Sequence, residues 1–138
     1  MPSFQWPGAG SKFRGFTLIE VLIVITLVTI LASVGLATYT NSVRRSREAV
    51  LREDLFRMRD AIDQYYADKN KYPSTLQDLV SDGYLREFPK DPITDSADTW
   101  QTINAESDPA NAAQEPGIFN VKSGSEDTSM NGTKYSEW

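Results

Sequence analysis

The chain has 138 residues, a formal net charge of −5 and neither cysteine nor histidine. Without these two residue types it cannot carry a Ser-His-Asp or Cys-His nucleophilic site, a histidine general base, a disulfide or most of the usual zinc sites. Its length allows one small domain at most beside a membrane segment. The composition therefore predicts a protein without enzymatic activity.

The charges are unevenly distributed along the chain. Residues 44–60 contain six arginines and four acidic residues, whereas residues 91–138 contain two lysines and nine acidic residues. A nucleic-acid surface needs Lys and Arg to displace the counterions of the phosphates. We therefore expect no nucleic-acid binding by the distal part of the chain.

Residues 1–15 form a short leader segment. Proline or glycine occupies five of these positions, and Lys12 and Arg14 are the charged residues. No strand precedes the glycines, and their spacing does not match a nucleotide-binding loop. The composition predicts a flexible, weakly basic leader.

An apolar run of 23 residues without a charge, residues 21–43, follows this leader. About 20 residues at roughly 1.5 Å each cross the hydrocarbon core of a bilayer, so the run predicts one transmembrane helix. Glu20 lies at the start of the run, where an unpaired carboxylate costs about 2.5–3.5 kcal/mol. The Glu20 carboxylate therefore needs a partner.

Residues 15–20 read Gly-Phe-Thr-Leu-Ile-Glu. This hexapeptide, after a basic leader and before a single apolar segment, resembles the class III signal peptide of type IV pilins and type II secretion pseudopilins. The resemblance implies that a prepilin peptidase cuts between Gly15 and Phe16, that the new amino terminus of Phe16 is methylated, and that residues 1–15 are lost. A secretory signal is cut after its apolar region, whereas this cut would retain the helix.

The resemblance further implies that Phe16 and Glu20 act in filament assembly. We expect the helix to begin at Phe16, so that the amine exposed by cleavage lies one turn from Glu20 of its own chain and can pair with Glu20 of a neighbour. Leaving one partner of a buried ion pair alone costs about 3–5 kcal/mol, so the pair would set the axial register. The alternative is a plain single-span anchor with an incidental Glu20.

The orientation of the span rests on the resemblance. Three arginines shortly after the apolar run outnumber Lys12 and Arg14. The positive-inside rule alone would therefore place the C-terminal side of the apolar run in the cytoplasm. The resemblance implies a cytoplasmic leader, an inner-membrane segment at residues 16–43 and a periplasmic domain at residues 44–138.

The membrane segment departs from the family at one position. Many members have a proline near the place of Ala37, whereas here only Gly35 and the β-branched Thr38 weaken the helix. We expect Ser33 and the earlier threonines to return hydrogen bonds to the helix backbone.

The helix is expected to continue beyond the membrane to about Asn70, where a left-handed cap and Pro73 end it. Apolar residues recur along it at helical spacing and predict one buried stripe. The stripe consists of Leu51, Leu55, Met58, Ile62, Tyr65 and Tyr72. The charged residues expected to remain in solvent are Arg52, Glu53, Arg57, Arg59, Asp60 and Asp63.

A second, short helix is expected after Pro73. Ser74 and Gln77 predict a capping box at its start, and Gly83 predicts its end. The residues expected to face the core are Leu76, Leu79 and Val80 in the helix and Tyr84, Leu85 and Phe88 after it. Lys-Tyr-Pro at 71–73, Gly-Tyr-Leu at 83–85 and Pro-Lys-Asp-Pro at 89–92 resemble the major pseudopilin of type II secretion systems in particular.

The remaining third predicts a small antiparallel sheet. Residues 99–103 and 117–121 are rich in β-branched and aromatic residues and have the character of short strands. A 13-residue acidic loop, residues 104–116, separates them. After a polar segment at 123–132, Tyr135 and Trp138 are expected to return the chain to the core. The fold class is therefore α+β and pilin-like, with the sheet and the short helix packed on the long helix.

Major pseudopilins carry a calcium site in their C-terminal loop, built from carboxylates and carbonyl oxygens. The matching segment here, residues 123–132, offers only Glu126 and Asp127. Calcium takes about six to eight oxygen ligands. We therefore expect no cofactor, and calcium bound by Glu126 and Asp127 is the alternative to two solvated acids.

The resemblance implies a non-enzymatic pseudopilin that polymerises into a short periplasmic filament and helps to drive protein export across the outer membrane. The resemblance implies as partners other copies of the chain, minor pseudopilins, the inner-membrane secretion platform, the prepilin peptidase and, before assembly, membrane lipid. A type IV pilin of a surface fibre for adhesion, motility or DNA uptake is the alternative, although many pilins carry a disulfide. A third possibility is a monomeric, uncut, membrane-anchored binding module.

Overall fold

The computed structural model describes residues 1–5, 8, 10, 15–107, 109–111, 113 and 115–138. Lys12 and Arg14, the charges of the expected leader, lie outside the described residues. The helices are α1 (Leu18–Lys69) and α2 (Leu76–Ser81), the strands are β1 (Gln101–Asn104) and β2 (Ile118–Lys122), and short 3-10 helices cover Pro109–Asn111 and Tyr135–Glu137. A long helix, a short helix and a two-stranded antiparallel sheet confirm the α+β pilin-like fold. The chain divides into two compact units, Met1–Thr40 and Asn41–Trp138.

In the first unit, the side chains of α1 are exposed and mostly apolar. α1 contains a segment long and apolar enough to cross a membrane, and none of that segment is buried within the molecule. Hydroxyl side chains donate hydrogen bonds of 2.8–3.1 Å to the carbonyl four residues earlier, as expected at Thr26, Thr29 and Ser33 and additionally at Thr38 and Thr40. These bonds satisfy the hydroxyl donors without water, which an apolar environment requires.

In the second unit, the predicted stripe of α1 forms the core. Its buried members are Leu51, Leu55, Met58, Ile62 and Tyr65. α1 ends at Lys69, and Asn70 has a φ of 54°, which confirms the left-handed cap. Tyr72 therefore does not lie on the helix, but it packs half-buried against the core from the following segment. Of the charged residues expected in solvent, Arg59 is half-buried and the other five are exposed.

The cap of α2 lies one residue later than predicted. Thr75, and not Ser74, precedes the helix, with an extended backbone at φ −136° and ψ 157°. Its N–H donates to Asp78 Oδ2 at 3.1 Å, so Asp78 occupies the position expected for Gln77. Leu76 and Leu79 are buried and Val80 is half-buried.

The chain after α2 packs on α1 as expected. Gly83 follows the helix with a φ of 83°, a left-handed conformation that glycine adopts without strain. The residues that then pack half-buried on the core are Tyr84, Leu85 and Phe88. The Tyr84 hydroxyl donates to Asp68 Oδ2 at 2.8 Å, and its ring lies 5.4 Å from that of Tyr65. These contacts join the connection to the end of α1.

The strands begin one or two residues later than predicted. β1 and β2 are antiparallel, with Thr102 opposite Val121 and a register shift between Ile103 and Asn104. Trp100, Ile118 and Val121 contribute to the core over α1. Gly124 follows the sheet at a close approach, because a Cβ placed there would lie 1.9 Å from the Thr99 carbonyl oxygen.

Candidate functional site

The first candidate site is the start of α1. Thr17 directly precedes the helix, and its hydroxyl accepts a hydrogen bond from the Glu20 N–H at 3.2 Å. The Thr17 carbonyl accepts the Val21 N–H at 3.1 Å. The Thr17 hydroxyl therefore satisfies one of the amide donors that lack a partner in the first turn, and the Thr17 carbonyl accepts the first hydrogen bond of the helix. The role of Thr17 was missed in the sequence, although a Thr-x-x-Glu pattern before an apolar run is a recognised capping signal.

The cap changes where the helix begins. The prediction that α1 starts at Phe16 is wrong, because Phe16 and Thr17 precede Leu18 outside the helix. A residue that caps with its own hydroxyl takes a non-helical backbone, so the helix cannot extend upstream of Thr17. The Phe16 side chain is 77% exposed, and a Cβ added to Gly15 would meet no atom within 4 Å. The bond between Gly15 and Phe16 therefore lies in an open, non-helical segment.

Glu20 lies in the first turn of α1 and is exposed. A carboxylate at this place interacts favourably with the partial positive charge of the helix N-terminus. Within the part of the chain that the structure describes, no cationic side chain pairs with the Glu20 carboxylate. The pairing of Phe16 with Glu20 of another copy involves a second chain and stays a prediction.

The second candidate site is the C-terminal segment, which Glu48 of α1 binds. Glu48 is only 7% exposed. Its Oε1 accepts hydrogen bonds from the Met130 N–H at 2.8 Å and from the Tyr135 hydroxyl at 2.7 Å. Arg44 lies one turn earlier, with Nε 3.9 Å from the same oxygen, and donates to the Thr128 carbonyl. Burial, and then the hydrogen bond to Glu48, raises the pKa of Tyr135, so the phenol stays a neutral donor.

Two further arginines of α1 bind the end of the chain. Arg59 donates from Nε to Asn120 Oδ1 at 2.9 Å and from Nη2 to the carbonyls of Val121 and Trp138 at 3.0 and 2.8 Å. Burial lowers the pKa of Arg59. The Arg52 guanidinium lies 4.4 Å from the centroid of the Trp138 ring. The partners of Arg59 are 61 to 79 residues away in sequence, so no local pattern could have shown that this arginine is half-buried.

Glu126 and Asp127, the weak calcium candidates, are both exposed. Glu126 Oε2 accepts from Lys134 Nζ at 3.4 Å. The Asp127 N–H donates to Ser125 Oγ at 3.3 Å, and its carbonyl accepts the Tyr135 N–H at 3.0 Å. Among the described residues, no group of three or more acidic side chains is placed to hold a metal ion.

Comparisons with known proteins identify a family motif around the start of α1. The family model described as the prokaryotic N-terminal methylation motif matches residues 10–36. The chain is 33% identical to type II secretion system core protein G of Klebsiella pneumoniae, over 57% of this chain and 68% of that protein. The chain belongs to the type II secretion system core protein G family.

Other members of the core protein G family match similarly. The protein of Pectobacterium carotovorum is 31% identical over 61% of this chain and 64% of its own length, and that of Escherichia coli K12 is 29% identical over 61% and 69%. The chain thus spans about two thirds of the length of these relatives. No solved structure matches the chain.

The calcium site that the resemblance implies does not fit this member of the core protein G family. The segment offers two carboxylates, and one of them, Glu126, already pairs with Lys134. The Thr128 carbonyl accepts from the Arg44 guanidinium, and the Asp127 carbonyl accepts a backbone N–H. A cation in contact with a backbone oxygen repels a second cation at that oxygen. The donor set is therefore poor in the oxygens that calcium requires.

We expect Glu48→Ala to destabilise the second unit. The variant leaves the buried donors of Met130 and Tyr135 without their acceptor, at about 1–3 kcal/mol for each group. Equilibrium unfolding in urea of the full chain in detergent measures the free energy of unfolding. The matched control is Glu53→Ala on the same helix, which removes an exposed 3.0 Å ion pair with Arg57 worth about 0–1 kcal/mol. Equal effects of the two variants would contradict this role of Glu48.

We expect the melting temperature to be independent of calcium. The C-terminal segment is bound to α1 through protein groups, so neither a chelator nor millimolar calcium should shift the unfolding of the full chain. The double variant Glu126→Ala, Asp127→Ala should also unfold within about 0.5 kcal/mol of the unaltered chain, as surface substitutions do. A fall in melting temperature with chelator that added calcium reverses would show a metal site.

Proposed function

We propose that this chain is a filament-forming pseudopilin of a type II secretion system, polymerising through α1 to help drive protein export across the outer membrane. The observation that supports this proposal most directly is the arrangement at the start of α1. The Gly15–Phe16 bond is exposed, the Thr17 hydroxyl caps the helix through the Glu20 N–H, and an unburied apolar segment follows. The relatives carry the name of a type II secretion system component. That name favours this function over a surface fibre of the type IV pilin class.

Processing prepares the chain for assembly in this proposal. The peptidase cuts before Phe16, which is then N-methylated, and the membrane-spanning part of α1 is retained. Lipid tails are as apolar as this helix, so hydrophobicity alone does not drive its association with other copies. The Glu20 carboxylate supplies the missing directionality, because the N-terminus of its own helix compensates its charge only in part and the Phe16 amine of a neighbour would complete an ion pair. A subunit at the wrong axial position in the filament leaves the Glu20 carboxylate and the Phe16 amine unpaired.

The finer localisation and partners belong to the same proposal. Residues 1–15 lie in the cytoplasm, one helix crosses the inner membrane, and the unit Asn41–Trp138 lies in the periplasm. The partners are further copies of the chain, minor pseudopilins, the inner-membrane platform, the prepilin peptidase and lipid before assembly. The protein acts without enzymatic activity, resident cofactor or nucleic acid. The lack of cysteine and histidine supports the absence of catalysis.

The intact mass of the protein purified from its native membrane tests the processing. We expect the mass of residues 16–138 plus one methyl group, because the Gly15–Phe16 bond is open to a peptidase. Mass spectrometry of the intact chain gives the answer directly. The mass of the uncut chain would contradict the proposal and favour a membrane-anchored binding module.

We expect Glu20→Gln to be cut and inserted normally but to enter filaments poorly. Glutamine also serves in capping boxes, so the variant retains the local start of α1 and loses only the charge. Cross-linking in the membrane followed by pull-down of a tagged copy measures incorporation, and Glu87→Gln, at an exposed position outside the membrane, controls for the loss of a carboxylate. Incorporation of Glu20→Gln at the level of the control would contradict the register argument.

A further inference from the structure

The described residues of the unit Asn41–Trp138 form two exposed apolar surfaces that no other described part of the unit covers. The first, which we call the basic patch, lies along α1 next to the C-terminal segment. Phe56 is 66% exposed and Met130 is 39% exposed. They line one groove together with Arg45, Ala49 and Arg52. The patch therefore has an apolar centre with arginines at its edge.

The positive charge of the basic patch is not neutralised locally. Two acids also line the groove, but each has an arginine partner one turn away on α1: Glu48 Oε1 lies 3.9 Å from Arg44 Nε, and Glu53 Oε1 lies 3.0 Å from Arg57 Nε. Arg45 is exposed, and no carboxylate in the described part of the chain pairs with it. Its guanidinium is free to bind an anionic group from outside.

The second surface, which we call the acidic patch, lies near the end of α1. Tyr66 is 42% exposed and Phe119 is 44% exposed, and Tyr72 lies between them with ring centroids 4.5 Å and 6.3 Å away. A cleft beside these rings is lined by the exposed residues Glu106 and Glu115 and by Lys71. No ion pair within the described residues involves either glutamate. The acidic patch thus also has an apolar centre, but its rim carries net negative charge.

The two patches cannot meet within one chain. Arg45 and Tyr66 are both on α1, 21 residues apart, and a rise of about 1.5 Å per residue separates them by roughly 30 Å. Any contact between a basic patch and an acidic patch is therefore a contact between two copies.

We propose that the acidic patch of one copy docks on the basic patch of a second copy. This inference rests on the proposed function and names the contact that the second unit adds to assembly. Desolvated aromatic side chains supply most of the binding energy in such interfaces, and opposite charges at the rim set orientation and exclude wrong pairings. Because the two surfaces differ, the contact is heterologous, and a heterologous contact that does not close into a ring generates an open helical polymer.

Docking of a second copy gives a partner to both patches, whereas binding to a membrane gives a partner only to the basic patch. Anionic lipid headgroups would also bind an apolar patch with an arginine rim. They would leave Tyr66, Phe119 and the two glutamates exposed without a partner, and they would repel the glutamates. Docking between copies gives each patch a partner of opposite charge.

Disulfide cross-linking of the full chain in its native membrane tests the contact. The chain has no cysteine, so one tagged copy carries Arg45→Cys and a differently tagged copy carries Glu115→Cys. We expect oxidation to give a dimer containing both tags. The matched control replaces Glu115→Cys by Lys90→Cys, an exposed position in neither patch. A yield no higher than that of the control would overturn the proposal.

Charge reversal gives an independent readout. Arg45→Glu and Glu115→Arg, each alone, should lower co-purification of two tagged copies about fivefold, since like charges then face each other. A chain with both substitutions should recover, because each contact again joins opposite charges. Failure of the double variant to recover would overturn the proposal. So would an effect confined to binding of anionic vesicles, which would assign the basic patch to lipid.

Failure of the docking contact and failure of the proposed function are distinguishable. If Glu20→Gln prevents filament entry while the charge reversals and the cysteine pair have no effect, the docking contact is wrong and the function stands. If the chain keeps its leader and no copies co-purify, both are wrong.

Discussion

Burial of the apolar stripe of α1 is the interaction on which the second unit depends. From Leu51 to Tyr65 one face of the helix is removed from water, and each large apolar side chain that is fully buried contributes about 1.5–3 kcal/mol. α2, β2, Tyr135 and Trp100, which directly precedes β1, add apolar residues to the same cluster. The two-stranded sheet is too small to be stable by itself. Its place in the fold therefore depends on the helix face that it covers.

Polar contacts from α1 determine how the C-terminal segment is arranged over this core. Glu48 and Arg59 project from the same helix and bind backbone and side-chain groups that are distant in sequence. Buried charged groups add little net stability, but they are costly when left unpaired. They therefore select one placement of the segment.

The two parts of α1 have different surfaces. The first part begins with the Thr17 cap and Glu20 and then has an apolar surface suited to lipid. The second part has one face that is buried in the core and other faces with exposed arginines. In the proposed assembly, directional information comes from charge in both places: from Glu20 at the start of the apolar segment, and from the oppositely charged residues of the two exposed patches in the second unit. Apolar surface is non-directional. Charged groups therefore decide which of many apolar contacts is the productive one.

Local sequence by itself determined the long helix, its apolar segment, its buried stripe and its end at Asn70, because spacing and capping act over a few residues. It also predicted the two strands and the return of Tyr135 to the core. The cap of α2 differs by one residue from the prediction because Ser74 and Thr75 both carry a hydroxyl and only the backbone decides which one caps. The start of α1 differs by two residues because the capping pattern of Thr17 and Glu20 did not enter the prediction. The half-buried Arg59, the partners of Glu48 and the grouping of Phe56 with Met130 depended on tertiary structure. Those contacts join residues more than 60 positions apart, and no periodic pattern in the sequence encodes which distant backbone carbonyl or amide a side chain will meet.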